Sequence, residues 1–145
     1  MTPPQTNVLD LFRLTGRRAL ITGGSKGLGR VIATALAEAG ADLVIVSRTL
    51  TDCEQSAREI TAATERIATP FAADVSKADE VKRLAEEVER KVGAVDILIN
   101  CAGVNIRGPV ATLNESDWDA VLDINLKAPF LLARHFGPPM ANRGC

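Results

Sequence analysis

The sequence predicts an α/β fold of three layers, with a doubly wound parallel sheet between two layers of helices. Three observations predict it. Short β-branched apolar runs alternate with segments of helical period along the chain. A glycine cluster follows the first of those runs directly. The 145 residues carry 46% hydrophobic and 24% charged side chains, which suits one globular domain with a real core rather than a disordered chain.

Residues 1–16 read as a polar, proline-bearing lead-in ending at Gly16, and residues 17–145 as the domain. Arg18-Ala-Leu-Ile-Thr22 is the first buried strand, followed by Gly23-Gly-Ser-Lys-Gly-Leu-Gly29. Leu28, Val31, Ile32, Ala35, Leu36 and Ala39 then recur at the spacing of one helix face, and Gly40 is placed to stop that helix. Leu43-Val-Ile-Val46 is a second strand. A helix over about 52–63 turns Ala57 and Ile60 inward. The third strand, about 67–73, contains Pro70; proline cannot donate to a ladder, so this strand is expected at a sheet edge.

Ser76-Lys-Ala-Asp79 resembles a capping box and opens a helix with Val81, Leu84, Ala85, Val88 and Val92 inward, stopped by Gly93. Its Glu/Lys/Arg run from Glu80 to Lys91 reads as a solvated face. Val95-Asp-Ile-Leu-Ile99 is a fourth strand. A loop with Gly103, Gly108 and Pro109 leads to Ser116, the expected cap of a last helix carrying Trp118, Val121, Leu122, Asn125, Leu126 and Phe130. Pro129 within that pattern predicts a kink.

Several functions are disfavoured by composition. A net charge of −1 gives no overall basic field for nucleic acid or an anionic membrane. No apolar run approaches the roughly 20 residues of a membrane helix. Cys53, Cys101 and Cys145 have no metal-type spacing and fit a reducing, cytoplasmic setting better than a disulfide framework.

A glycine turn between a buried strand and a helix brings backbone close to a ligand and aims helix N–H groups at phosphate. The spacing is not that of a P-loop, because Gly29 is followed by Arg30 and Val31 rather than Lys-Ser/Thr. It reads Thr22-Gly23-x-x-x-Gly27-x-Gly29, and here the chain resembles the short-chain dehydrogenase/reductase family. Asp74-Val75, Asn100-Cys-Ala-Gly103 and the Asn125 of Asp-Ile-Asn-Leu-Lys127 extend the resemblance to most of the chain; Cys101 departs from the family's usual Asn-Asn-Ala-Gly. In wording it is similar to gluconate 5-dehydrogenase-like and 3-oxoacyl-carrier-protein reductase-like members.

The resemblance implies a Rossmann-type sheet in the order 3-2-1-4 and a nicotinamide cofactor held by Gly23, Ser25, Lys26, Gly27, Leu28, Gly29, Ser47, Arg48, Thr49, Asp74, Val75, Asn100, Ala102 and Gly103. An acid at the end of the second strand would suit NAD, whereas an Arg there suits the 2′-phosphate of NADP. Val46-Ser47-Arg48-Thr49 supplies no acid, and Lys26 adds a second cation, so NADP is favoured and NAD is the alternative.

Of the family's catalytic set only Asn125, in a supporting role, is expected. The sequence has no tyrosine, and the family's Ser and Tyr-x-x-x-Lys are absent. The resemblance therefore implies an oxidoreductase acting on a small carbonyl or alcohol substrate, a homo-oligomer when full length, present here as a fragment inactive alone. A non-catalytic nucleotide-binding or partner-binding module is the competing expectation. His135 is expected to be ordinary surface, and Cys101 a small buried hydrophobe rather than a reactive thiol.

Overall fold

A computed structural model describes residues 7–144; residues 1–6 of the lead-in, and Cys145, lie outside the described residues. After a short exposed 3₁₀ turn at Val8–Phe12, four strands alternate with helices: β1 (Arg18–Thr22), α1 (Gly27–Glu38), β2 (Asp42–Ser47), α2 (Leu50–Thr64), β3 (Ala68–Ala72), α3 (Ala78–Lys91) and β4 (Ile97–Asn100). A 3₁₀ turn at Val110–Thr112 precedes α4 (Glu115–Leu122), a π-turn (Asp123–Lys127) and α5 (Ala128–Asn142). The strands form one parallel sheet in the expected order β3-β2-β1-β4.

Strand alternation makes the three layers. Ala19, Ile21, Leu43 and Ile45 point to one face, where Ala33 and Ala37 of α1 and Cys53, Ala57 and Ile60 of α2 cover them. Leu20, Val44 and Val46 point to the other, beneath Val81, Leu84 and Val88 of α3 and Leu131, Leu132 and Phe136 of α5. Both faces of β1 and β2 are thus dry, as their continuous apolar runs require.

The two sheet edges differ. Pro70 sits in β3 opposite Ile45, on the outermost strand, where its missing N–H costs no ladder bond on the solvent side. β4 is the other edge, and its Ile97, Leu98 and Ile99 are only half-buried.

Two apolar stripes are not where the helical period placed them. In α1 the buried residues are Gly29, Ala33 and Ala37, while Leu28 and Val31 are 70% and 64% exposed. Small residues take the sheet side because α1 begins in direct contact with the glycine turn, leaving no room for a bulky side chain. In the last helix, Trp118, Leu126 and Phe130 are at least 60% exposed, and burial passes to Ala128, Leu131, Leu132 and Phe136. The π-turn shifts the helical register between α4 and α5, so a single period cannot run through both. It lies just ahead of Pro129, at the break in regular helix that this proline predicts.

Two expected caps are also replaced. Ser76 donates its hydroxyl to Asp74 Oδ1 at 2.7 Å instead of capping α3, whose N-cap is Lys77. A carboxylate is the stronger acceptor and draws the hydroxyl away. Asn114, not Ser116, precedes α4, and its N–H donates to Asp117 Oδ2 at 3.3 Å.

Candidate nucleotide cleft

The carboxyl ends of β1, β2, β3 and β4 open into a cleft of about 360 Å³. Its walls bring together Gly23, Ser25, Lys26, Ser47, Arg48, Asp74, Val75, Ala102 and Gly103 from the expected set. Gly27, Leu28, Gly29, Thr49 and Asn100 do not line it. Asn100 instead stands exposed on the β4 edge, opposite Thr22.

The glycine turn is built by close approach. Gly23 adopts φ +68°, a region open to glycine, and its N–H donates to Val46 O at 2.8 Å. A Cβ on Gly29 would lie 2.2 Å from the Gly23 carbonyl oxygen, so only glycine lets α1 start there. A Cβ on Gly23 would meet the Ala102 backbone at 3.0 Å. Ser56, buried in α2, donates to the Gly24 carbonyl at 3.3 Å and ties that helix to the turn. No side chain caps α1 at Lys26, which leaves its first-turn N–H groups available to an anion. Beyond Gly27 the space where a Cβ would stand is open. This bare cradle fits a pyrophosphate.

Thr22 and Asn125 shape the opposite wall. The buried Thr22 Oγ1 accepts the N–H groups of Cys101 and Ala102, both at 3.2 Å, and so fixes the chain leaving β4. Asn125, in the π-turn, grips the same loop two residues on. Its Oδ1 accepts from Val104 N at 3.0 Å and its Nδ2 donates to Val104 O at 2.9 Å.

The polar groups at the mouth are partly engaged with one another. Ser47 Oγ donates to Thr49 O at 3.1 Å and lies 3.0 Å from Cys53 Sγ, so its hydroxyl is already committed. Burial pushes the Cys53 thiol up, against the lowering pull of Ser47. Lys26 Nζ stands 2.7 Å from Asp52 Oδ2 on α2. Arg48 is exposed and in no ion pair within 4 Å among the described residues. Burial works to raise Asp74, but the Ser76 hydroxyl and N–H, with the charges of Lys77 and Arg48, outweigh it and hold the carboxyl below its ordinary range.

Thr22, Ser56 and Ile124 were not singled out as site residues by sequence reasoning, although Thr22 and Ile124 line the cleft. A signal existed for two of them. Thr22 is the polar residue ending an apolar strand directly before the glycines, and Ser56 is a polar residue on the inward period of α2. His135 lines a separate cavity of about 70 Å³ with Val88, Glu89 and Phe136.

A family model described as short chain dehydrogenase matches residues 17–144. Nodulation protein G from Rhizobium sp. is 39% identical over 92% of this chain and 53% of its own length. A 2-dehydro-3-deoxy-D-gluconate 5-dehydrogenase from Pseudoalteromonas atlantica is 37% identical over 94% of this chain and 54% of its own. Among solved structures, a gluconate 5-dehydrogenase from Burkholderia cenocepacia in complex with NADP and tartrate superposes with a TM-score of 0.89 at 39% identity, covering 95% of this chain and 54% of that one. The chain spans about half the length of the curated relatives it matches.

Proposed function

The chain belongs to the short chain dehydrogenase family, and from that premise we propose that it binds NADP in the cleft above β1–β4, in support of alcohol/carbonyl interconversion by hydride transfer. The observation that carries this is the Gly23–Gly29 contact, which opens a bare helix N-terminus at the carboxyl ends of the strands. Hydride chemistry is the cofactor's own contribution when it is bound. The residues present bind and orient. The turn at Gly23, Ser25, Gly27, Leu28 and Gly29 receives the pyrophosphate, Arg48 faces the 2′-phosphate with Lys26, paired to Asp52, beside it, and Asp74 and Val75 border the adenine. Thr22 and Asn125 hold the loop bearing Ala102 and Gly103 as the far wall.

NADP is preferred to NAD because the end of β2 offers Arg48 and no acid. With no tyrosine in the sequence, the family's proton-transfer group is not among these residues, and the chain alone is assigned binding without turnover. The small carbonyl or alcohol substrate belongs to the complete catalytic set. The exposed Trp118, Leu126 and Phe130 supply an apolar face for self-association. No described helix is long and apolar enough to cross a membrane, and the free thiols of Cys53 and Cys101 suit the cytoplasm.

Fluorescence titration of the purified chain with NADPH tests the reading. Saturable enhancement of the nicotinamide emission, abolished by Gly29→Ala, is expected. No saturable change up to about 1 mM, an affinity worth only about 4 kcal/mol, would overturn it.

A further inference from the structure

The rim of the cleft carries two cations, and one of them is engaged by a carboxylate. Lys26 and Arg48 line the cleft, and only Lys26 is held by a carboxylate within 4 Å among the described residues. Lys26 Nζ is 2.7 Å from Asp52 Oδ2, and the charge of Arg48 acts on Asp74. Asp52 does not line the cleft; it sits in the first turn of α2, where a helix N-terminus stabilises an acid. Its side chain is 32% exposed against 73% for Lys26, so the carboxylate is the better-fixed partner and the flexible lysine is drawn toward it. The pair spans the gap between the starts of α1 and α2.

We infer that Asp52 is a specificity-determining residue that holds Lys26 away from the nucleotide's 2′-phosphate and so restrains the preference for NADP over NAD. This rests on the assignment of the cleft to a dinucleotide. A phosphate dianion entering beside Arg48 must either compete with the Asp52 carboxylate for Lys26 or leave the pair intact and bind with Arg48 alone. Either course lowers affinity for the 2′-phosphorylated nucleotide, whereas an unphosphorylated ribose meets neither cost. Asp52 therefore acts through Lys26 and touches no ligand itself.

The test measures dissociation constants for NADPH and NADH by fluorescence on the wild-type chain, Asp52→Asn, Lys26→Gln and the double variant. Asp52→Asn keeps the side-chain volume. It is expected to tighten NADPH roughly three- to tenfold and NADH less than about twofold, in keeping with the modest worth of an exposed ion pair plus a relieved repulsion. In the Lys26→Gln background the same substitution should change NADPH binding by less than about twofold. An Asp52→Asn variant that leaves the NADPH-to-NADH ratio unchanged, weakens NADPH, or keeps its full gain without Lys26 overturns the inference while the nucleotide assignment stands. If neither wild type nor any variant binds either nucleotide, the assignment itself falls and the inference with it. A thermal midpoint for each variant identifies any that fails to fold; Asp52→Ala then replaces Asp52→Asn.

Discussion

Asn125 pairs with the backbone of Val104 as one strand pairs with another, its amide oxygen accepting the N–H at 3.0 Å while its amide nitrogen donates to the carbonyl at 2.9 Å. The π-turn that carries Asn125 and the loop that leaves β4 are therefore one unit.

Replacing Asn125 by Ala removes both bonds. Amide hydrogen exchange at Val104 should accelerate by at least about tenfold, with a stability loss of about 0.5–1.5 kcal/mol because the pair is exposed. Asn125→Asp keeps the acceptor but sets a carboxylate oxygen against the Val104 carbonyl, and should be at least as damaging. Unchanged exchange in Asn125→Ala would show that the loop is held by other contacts.

Gly29→Ala places a methyl 2.2 Å from a backbone oxygen, where no flexible side chain can yield. Overpacking of this kind costs about 1–3 kcal/mol. The urea midpoint should fall and NADPH binding should disappear. Gly137→Ala, whose Cβ would meet nothing within 4 Å, is the control and should retain binding.

Thr22→Val keeps the shape of a buried side chain but strands the N–H groups of Cys101 and Ala102. One unsatisfied buried group costs about 1–3 kcal/mol, so chemical denaturation should register a loss in that range. Thr22→Ser keeps the acceptor and should recover most of it. A loss from Ser with none from Val would point to the methyl group rather than the hydroxyl.

Asp74 gives stability a dependence on acid. Its folded pKa lies below the ordinary 3.8, so the folded state binds its proton more weakly than the unfolded chain. The stabilisation is complete above the ordinary value and is lost as pH falls below 3.8 through the lower folded value. Thermal midpoints of wild type and Asp74→Asn should differ most near neutrality and converge in acid. A constant difference across that window would assign the effect to the side chain's hydrogen bonds alone.

The order of elements was legible because each buried strand is a continuous apolar run and each helix is punctuated. The position of β3 followed from one residue, Pro70, whose missing donor confines it to an edge. The inward sides of α1 and the last helix were not legible. Both segments carry two adjacent apolar stripes, and the choice between them depends on tertiary contact: the approach of Gly29 to Gly23 in one case, the inserted π-turn in the other. The same holds at the cleft. Gly23, Arg48 and Asp74 can be placed from spacing along the chain, but the engagement of Lys26 by Asp52, 26 residues on, exists only once α1 and α2 lie side by side.

The proline in β3 and the open ladder of β4 make strand addition to this sheet one-sided. A second molecule can hydrogen-bond along β4 but meets a missing donor at the opposite margin. Among the described residues, extension of the sheet is thus blocked at the β3 side and open at the β4 side.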